Sequence, residues 1–208
     1  MKILAIGAHF DDVELGCGGS LLKWKSQGHD LSIFTATESG YSATSGQVIR
    51  SSADARAEGL ASSARLGAKL FEGHLETFGV EFTERLNAKL LEVLQDVRPD
   101  LMLTHWADDT HHDHKQLSLA SVHCARNIPR VLTYQSNWYV GHGSFEPRYF
   151  VDISATYPEK LELLRLFKSE HGRAGHRWES FVDAQSVLAG IKAGVARAEG
   201  FEVIKWRE

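Results

Sequence analysis

Short apolar segments alternate along the chain with longer segments in which apolar residues recur at helical spacing. The short segments predict strands at residues 2–8, 31–37, 68–73, 100–105, 131–136, 150–154 and 201–206. The periodic segments predict helices at 20–28, 51–66, 81–97, 116–126, 157–169 and 183–197. Glycines at 16, 18 and 19 predict a bend before the first helix, and the polar segment 171–176 predicts a loop.

This alternation is typical of repeated βα units, in which parallel strands form a sheet that helices cover on both faces. The first strand is a near-continuous apolar run, as expected of a strand buried on both sides. We therefore predict an α/β fold with a single domain over residues 1–208. Its architecture is a three-layer α/β/α sandwich around a mainly parallel, Rossmann-like sheet.

Two segments rich in acidic residues and histidine each follow a predicted buried strand. They are AHFDDVELGCGG (8–19) and THWADDTHHDH (104–114). Both should lie at the carboxyl edge of the sheet, where open α/β folds bind ligands. If the two strands are neighbours, His9, Asp12 and a downstream histidine meet at one point. Two imidazoles and one carboxylate form a site typical of catalytic Zn²⁺ or non-haem Fe²⁺.

The remaining acidic and histidine residues of these segments suggest acid–base chemistry. If Asp12 binds a metal, Asp11 can act on the nucleophilic water as a general base. In the second segment, one histidine would bind the metal, another would face a developing oxyanion, and a carboxylate would orient the latter's ring. Two structural alternatives stay open at this point: the Asp pair as a helix N-cap, and the histidine-rich segment as a solvated loop.

Composition excludes several classes of partner. The chain has 23 Lys and Arg against 27 Asp and Glu, a net charge of −4, and no basic block, so nucleic acid is not expected as a partner. No apolar run approaches the roughly 18 residues of a membrane span, and no secretory signal is evident, so we expect a cytoplasmic location. The glycine segment GCGGS lacks the GxGxxG spacing of a dinucleotide site.

The two motifs together resemble those of the LmbE-like, or PIG-L, family of metal-dependent deacetylases. The family's usual first motif is AHPDDE, and Phe10 stands here in the proline position. Its usual second motif is HPDH, and His112 stands in the proline position of DxHxDH (109–114). Neither replacement removes a functional group. Similarity also covers 35–40, 55–67, 98–105, 150–154 and 198–203, and thus nearly the whole chain.

The resemblance assigns roles to the motif residues. It implies that His9, Asp12 and His114 bind the metal, Zn²⁺ or alternatively Fe²⁺. It implies that Asp11 is the general base. It further implies that His111 stabilises the tetrahedral oxyanion, with Asp113 hydrogen-bonded behind it.

Residues outside the two motifs are candidates for substrate binding. The resemblance suggests Glu38, in the loop after the second strand, and Arg56, in the helix ending at Leu-Gly. The family's arginine usually lies three residues before the helix glutamate, whereas Arg56 lies two before Glu58. Tyr134, Trp138 and Tyr139 could form a stacking platform for a sugar ring or belong to the core.

The activity implied is that of a zinc-dependent N-deacetylase, a hydrolase of linear amides. The substrate would be a small molecule containing N-acetylglucosamine or a related N-acetyl amino sugar, attacked by metal-activated water. Two alternatives remain open: a metal-dependent hydrolase of a non-sugar amide or ester, and a non-catalytic metal- or sugar-binding protein. Asp11 and His111 favour the enzyme. Since members of the family form oligomers, the resemblance also leaves open a homo-oligomer.

Overall fold

The computed structural model describes residues 1–174 and 176–208 of the chain. Its strands are β1 (Lys2–Gly7), β2 (Asp30–Thr37), β3 (Tyr41–Ser42), β4 (Val48–Arg50), β5 (Lys69–Leu75), β6 (Leu101–His105), β7 (Arg130–Tyr134), β8 (Tyr149–Asp152) and β9 (Ala198–Trp206). In the part of the chain so described, a seven-stranded sheet has the order β5-β2-β1-β6-β7-β9-β8, and β3 pairs with β4 in a small hairpin.

The central sheet is mainly parallel, as predicted. Strands β5, β2, β1, β6 and β7 run in one direction. Strand β9 is antiparallel to both of its neighbours, β7 and β8. The chain leaves β1 toward β2 on one side, and β6 adds on the other side of β1, so the strand order reverses between β1 and β6. Ligand sites of open α/β sheets lie at such a reversal.

Helices cover both faces of this sheet. They are α1 (Asp12–Ser26), α2 (Ser52–Leu66), α3 (Glu84–Val97), α4 (His112–Cys124), α5 (Tyr157–Leu164) and α6 (Lys168–Ala193), with a 3₁₀ turn at Ala125–Asn127. Alternate residues of β1 enter two separate cores: Ile3 and Ala5 pack with α1, α2, α5 and α6. Leu4 and Ile6 pack with α3 and α4. The predicted α/β/α layering is confirmed.

Local sequence signals fix several helix ends. Ser51 caps α2 by accepting a hydrogen bond from the Asp54 backbone N–H. Gly67 ends that helix in the left-handed conformation, with φ of 64°. Thr83 caps α3 through the Leu86 N–H, so that helix begins three residues later than the predicted start at 81.

The predicted glycine bend at 16–19 was wrong, because these residues lie inside α1. A Cβ atom at Gly16 would overlap the ring of Tyr134, so the glycine lets the helix approach the sheet closely. Glycine is thus required at position 16 by close helix–sheet packing and not by a turn of the chain. Helix α4 likewise begins at His112 instead of 116, which places Asp113 and His114 in its first turn.

The predicted loop at 171–176 was also wrong, because α6 runs through it. Ala174, Trp178 and Val182 recur every four residues and are all buried, so they form the apolar stripe that holds the helix on its layer. The helix ends at Ala193, four residues earlier than predicted, where Gly194 has φ of 73°. Among the described residues, none of the helices combines the length and apolarity needed to cross a membrane.

Candidate active site

The two motif segments meet at the carboxyl edge of the sheet, as the sequence predicted. Strand β1 ends at Gly7 and β6 ends at His105, and these two strands are hydrogen-bonded neighbours at the reversal of strand order. The loop after β1 carries His9 and Asp11 and leads into α1. The loop after β6 leads into α4 and carries His111 at its N-cap.

His9, Asp12 and His114 bring three potential ligand atoms together. Nδ1 of His9 lies 3.3 Å from Nε2 of His114 and 3.2 Å from Oδ2 of Asp12. Nε2 of His114 lies 3.2 Å from Oδ1 of Asp12. Bonds of the ~2.0–2.1 Å typical of zinc hold the ligand atoms of a tetrahedron ~3.3 Å apart. The three predicted ligands therefore fit a metal ion in both donor type and spacing.

The outward nitrogen of each histidine is bonded to a buried carboxylate. Nε2 of His9 lies 2.9 Å from Oδ2 of Asp113, and Nδ1 of His114 lies 2.9 Å from Oδ2 of Asp109. A carboxylate accepts, so each ring donates from its outward nitrogen and turns a lone pair inward. Two lone pairs and the Asp12 carboxylate then face one another. Such a cluster needs a positive charge at its centre.

The pKa values of His9 and His114 also favour a positive charge at this position. Burial by itself would lower the pKa of His9, but its hydrogen bonds with Asp113 and Asp12 outweigh burial and raise that pKa to about 9. Burial would likewise lower the pKa of His114, but the charge of Asp12 and the hydrogen bond with Asp109 outweigh burial and raise that pKa to about 10. The carboxylates thus stabilise added positive charge between the rings, the charge that a divalent cation would supply.

The predicted partner of Asp113 was wrong: among the described hydrogen bonds, its carboxylate accepts from His9 and not from His111. Besides His9, Asp113 accepts hydrogen bonds from the backbone N–H groups of Phe78 and Val80. In the described part of the chain, Nδ1 of His111 is buried and has no hydrogen-bond partner. The two carboxylates, Asp113 and Asp109, therefore orient the two predicted ligand histidines, His9 and His114.

His111 lines the cavity beside the metal site as a neutral ring. Burial lowers its pKa to about 4, with the neighbouring charges of His114 and His9 acting in the same direction. Its backbone N–H donates to Oδ1 of Asp109 over 2.8 Å. The ring stacks on Phe78 and Tyr139, with centroid distances of 5.6 and 6.5 Å. A neutral imidazole carries one N–H, which can donate to an oxyanion.

Asp11 occupies the N-cap position of α1, yet its side chain makes no capping hydrogen bond. The backbone has φ of 133°, a conformation that side-chain-bearing residues rarely adopt. The carboxylate instead accepts a hydrogen bond from a terminal nitrogen of Arg50 over 3.0 Å. Burial raises the pKa of Asp11 to about 8, against the opposing charge of Arg50. The N-cap interpretation of the Asp pair is therefore excluded for Asp11.

A cavity of about 440 Å³ opens over this cluster. Its floor contains Asp11, Asp12, His9, His111 and His114. Its walls are aromatic and charged, with Tyr41, Phe78, Trp138, Tyr139, Trp178, Glu170, Arg173 and Arg177. Of the predicted platform residues, Trp138 and Tyr139 thus face the cavity, whereas Tyr134 belongs to the core. The wall joins flat apolar rings with hydrogen-bonding groups, which suits a sugar.

The two predicted substrate contacts outside the motifs lie elsewhere. Neither Glu38 nor Arg56 is among the described residues that line the cavity. Glu38 is bonded to His74 over 2.7 Å, and Arg56 is bonded to Glu72 over 2.7 Å, both near the surface. The structure therefore corrects their predicted placement, because each side chain is engaged by a partner on β5.

Sequence reasoning missed Arg50, the arginine that does reach the site. It ends strand β4, directly before the α2 cap Ser51, and its side chain is buried. Position 55, three residues before Glu58, is a buried alanine. No local pattern marks Arg50, since an arginine in a polar segment normally lies at the surface. Only its ion pair with Asp11, over 3.0 Å, connects it to the chemistry.

Sequence comparison identifies the class to which this fold and site belong. The profile of the PIG-L family, described as GlcNAc-PI de-N-acetylase, matches residues 4–125, which include both motifs. This match covers more than half of the chain, and the protein belongs to the PIG-L family. The family resemblance inferred from the motifs is confirmed.

Individual relatives extend the similarity over most of the chain. The uncharacterized deacetylase YaiS of Escherichia coli is 32% identical over 183 residues, covering 80% of this chain and 90% of YaiS. The diacetylchitobiose deacetylase of Thermococcus kodakarensis is 26% identical, covering 98% of this chain and 83% of its own. The crystal structure of the conserved protein TT1542 from Thermus thermophilus superposes with a TM-score of 0.80, at 26% identity, covering 97% and 93% of the two chains.

Proposed function

We propose that the protein is a metal-dependent hydrolase that removes the N-acetyl group from a substrate containing N-acetylglucosamine or a related N-acetyl amino sugar. The observation that carries this proposal lies beside the buried carboxylate of Asp11: Nδ1 of His9 and Nε2 of His114 are 3.3 Å apart, and each lies 3.2 Å from an oxygen of Asp12. Membership of the PIG-L family and similarity to a diacetylchitobiose deacetylase support the substrate class.

Zinc, or alternatively ferrous iron, would be held by His9, Asp12 and His114. When bound, such an ion polarises a carbonyl group and lowers the pKa of water to about 7. Asp113 and Asp109 would hold the two ligand rings in the orientation that presents their lone pairs.

Asp11 and His111 would act on the two ends of the scissile amide. The carboxylate of Asp11 takes a proton from the attacking water, and the C–N bond then breaks as that proton passes to the leaving nitrogen. The neutral ring of His111 donates its N–H to the oxygen that becomes negative in the tetrahedral intermediate. The products are acetate and a free amino sugar.

The cavity wall supports a carbohydrate as the substrate. Phe78 and Tyr139 flank His111, and Trp138 stands against Tyr139 with a centroid distance of 6.0 Å. Sugar rings pack their C–H faces on such side chains, while polar neighbours accept their hydroxyl protons. Glu170 is a buried acceptor in this wall.

The test is a reconstitution experiment. Metal-free protein is loaded with Zn²⁺ or Fe²⁺ and incubated with N-acetylglucosamine and N,N′-diacetylchitobiose, and acetate and free amine are quantified. We expect equal amounts of the two products from at least one substrate, with no release from metal-free protein. Asp11→Asn should keep the wild-type metal content and lose about 10²–10⁴-fold in turnover, the range for loss of a general base.

The same assay separates the alternatives. Hydrolysis of simple acetamides or acetate esters without any action on N-acetyl sugars would replace the sugar assignment with a non-sugar amide or ester. Stoichiometric metal binding without product from any of these compounds would indicate a non-catalytic metal-binding protein. An Asp11→Asn variant with unchanged turnover would overturn the assignment of the base.

A further inference from the structure

The carboxylate of Asp11 is not oriented by the helix that it precedes. An aspartate at an N-cap normally accepts a hydrogen bond from a backbone N–H in the first turn. Asp11 makes no such bond, and its backbone has φ of 133°. The strained conformation directs its side chain away from α1. Another group must therefore fix the carboxylate at the cavity floor.

Arg50 is placed to do this. Its side chain is 2% exposed, and one terminal nitrogen donates to Oδ2 of Asp11 over 3.0 Å. The other terminal nitrogen donates to the carbonyl oxygen of Phe10, over 3.2 Å. A guanidinium is planar and presents its donors in a rigid fork, so two bonds to adjacent residues define both its position and its plane. The guanidinium of Arg50 thereby holds two consecutive residues of the loop after β1.

The far side of the guanidinium is anchored just as firmly. It donates to Oε2 of Glu58 over 3.1 Å and, through Nε, to the hydroxyl of Ser169 over 3.0 Å. Glu58 also accepts hydrogen bonds from the backbone N–H and hydroxyl of Ser169, over 2.7 and 2.6 Å. Arg50 comes from β4, Glu58 from α2 and Ser169 from α6. Two further elements outside the metal-binding segments, α2 and α6, thus hold this arginine.

We propose that Arg50 is a positioning residue for catalysis, which holds the Asp11 carboxylate in the orientation required of the base. This inference rests on the proposed function, because it assigns a partner to the proposed base. Arg50 has no hydrogen bond to His9, Asp12 or His114 among the described contacts. It should therefore affect the rate of the chemical step and leave the metal in place. Displacement of a reacting group by ~1 Å costs about 100-fold in rate.

The test compares Arg50→Ala and Arg50→Lys with the wild type and with Arg65→Ala. Arg65 is a matched control, since it forms an ion pair of 3.0 Å with Glu159 at the surface, with both side chains largely exposed. We expect both Arg50 variants to bind wild-type amounts of metal and to lose about 100-fold in kcat with a smaller change in KM. The single ammonium of lysine cannot contact all four partners at once.

Chemical rescue distinguishes positioning from a merely structural role. Guanidinium ion, added below concentrations that unfold the protein, should restore part of the kcat of Arg50→Ala and none of the kcat of Asp11→Asn. If Arg50→Ala does not fold, Arg50→Lys retains the charge next to Asp11 and Glu58 and still tests the fork geometry. A kcat within twofold of the wild type in either folded variant would overturn the proposal.

A second readout does not depend on activity. In crystal structures of the wild type and Arg50→Lys, the Asp11 carboxylate should change its side-chain torsion or occupy several conformers in the variant. An unmoved carboxylate would overturn the inference, whatever the reaction. Absence of acetate release by the wild type would instead overturn the proposed function, so the two failures are distinguishable.

Discussion

Nε2 of His9 donates a hydrogen bond to Oδ2 of Asp113 over 2.9 Å, and this contact connects Asp113 to a proposed metal ligand. Asp113 lies in the first turn of α4, in the segment that follows β6, whereas His9 lies in the segment that follows β1. The corresponding bond from His114 goes to Asp109. Each proposed ligand histidine is thus oriented by a carboxylate from the second motif. This motif therefore supports His9 of the first motif as well as contributing its own proposed ligand, His114.

Asp113→Asn should weaken metal binding by about 10- to 100-fold, because an amide orients the His9 ring less strongly and withdraws the negative charge that favours the cation. The measurement is competition for zinc against a chelator of known affinity. Asp108→Asn, an exposed carboxylate of the same loop, is the control and should bind as the wild type does. If Asp113 acted behind His111, kcat would fall while metal affinity stayed constant, and our assignment would be wrong.

The backbone strain at Asp11 should be measurable as stability. Asp11→Gly and Asp11→Ala both remove the carboxylate and both leave Arg50 without that partner. They differ in their tolerance of φ at 133°. We expect the glycine variant to be more stable than the alanine variant by about 1–2 kcal/mol, after the larger unfolded-state entropy of glycine is deducted. Urea unfolding of the two metal-free variants gives this difference. Equal stabilities would mean that the strain at this position is no larger than the entropy cost of glycine, about 0.5–1 kcal/mol, and would contradict this expectation.

The glycines of α1 should differ sharply in their response to alanine. At Gly16 a Cβ atom would overlap the buried Tyr134 ring, whose hydroxyl donates to the Ile6 carbonyl. We expect Gly16→Ala to lose about 1–3 kcal/mol of stability, the typical cost of overpacking. At Gly18 the nearest atom to a Cβ, in Leu163, is 3.4 Å away. Gly18→Ala should therefore be neutral or gain up to about 1 kcal/mol. Thermal unfolding of the two variants measures the difference. Similar melting temperatures would contradict this packing argument.

The layers of the fold and the meeting of the two motifs were predictable from sequence, because both follow from local periodicity. Apolar runs identified β1 and β6, and parallel strands place the residues that follow them at one edge. The state of Gly16 was not predictable, since a glycine in a close-packed helix and a glycine in a bend look alike without the opposing ring. Packing against Tyr134 decided between them.

Two features of the site depend on tertiary contacts that spacing does not encode. His9 and His111 both lie near Asp113, and only the orientation of the His9 ring shows that Asp113 accepts its hydrogen bond from His9. Arg50 reaches Asp11 through its anchoring by Glu58 and Ser169, which are 8 and 119 residues away in the chain. Arg56, which the family resemblance suggested, is instead bonded to Glu72. Long-range ion pairs were the part of the site that sequence patterns left undetermined.

The two cysteines should be unreactive in the folded protein. Burial raises the pKa of Cys17 well above that of a free thiol, and the neighbouring charge of Glu199 adds to the effect. Burial also raises the pKa of Cys124. A thiol attacks only as the thiolate, so raised pKa values keep both groups protonated at pH 8, where a free cysteine is already partly ionised.

Labelling with a chromogenic disulfide reagent at pH 8 tests this expectation. We expect little reaction in the native state and two thiols per chain after unfolding in guanidinium chloride. The Cys17→Ser and Cys124→Ser variants assign any residual native labelling to one position. Cys17 lies in α1 on the same helix as the proposed ligand Asp12, so a native Cys17 that reacted as fast as a free thiol would mean that this helix opens readily. Metal binding should slow any such opening, since a bound ion ties the first turn of α1 to α4.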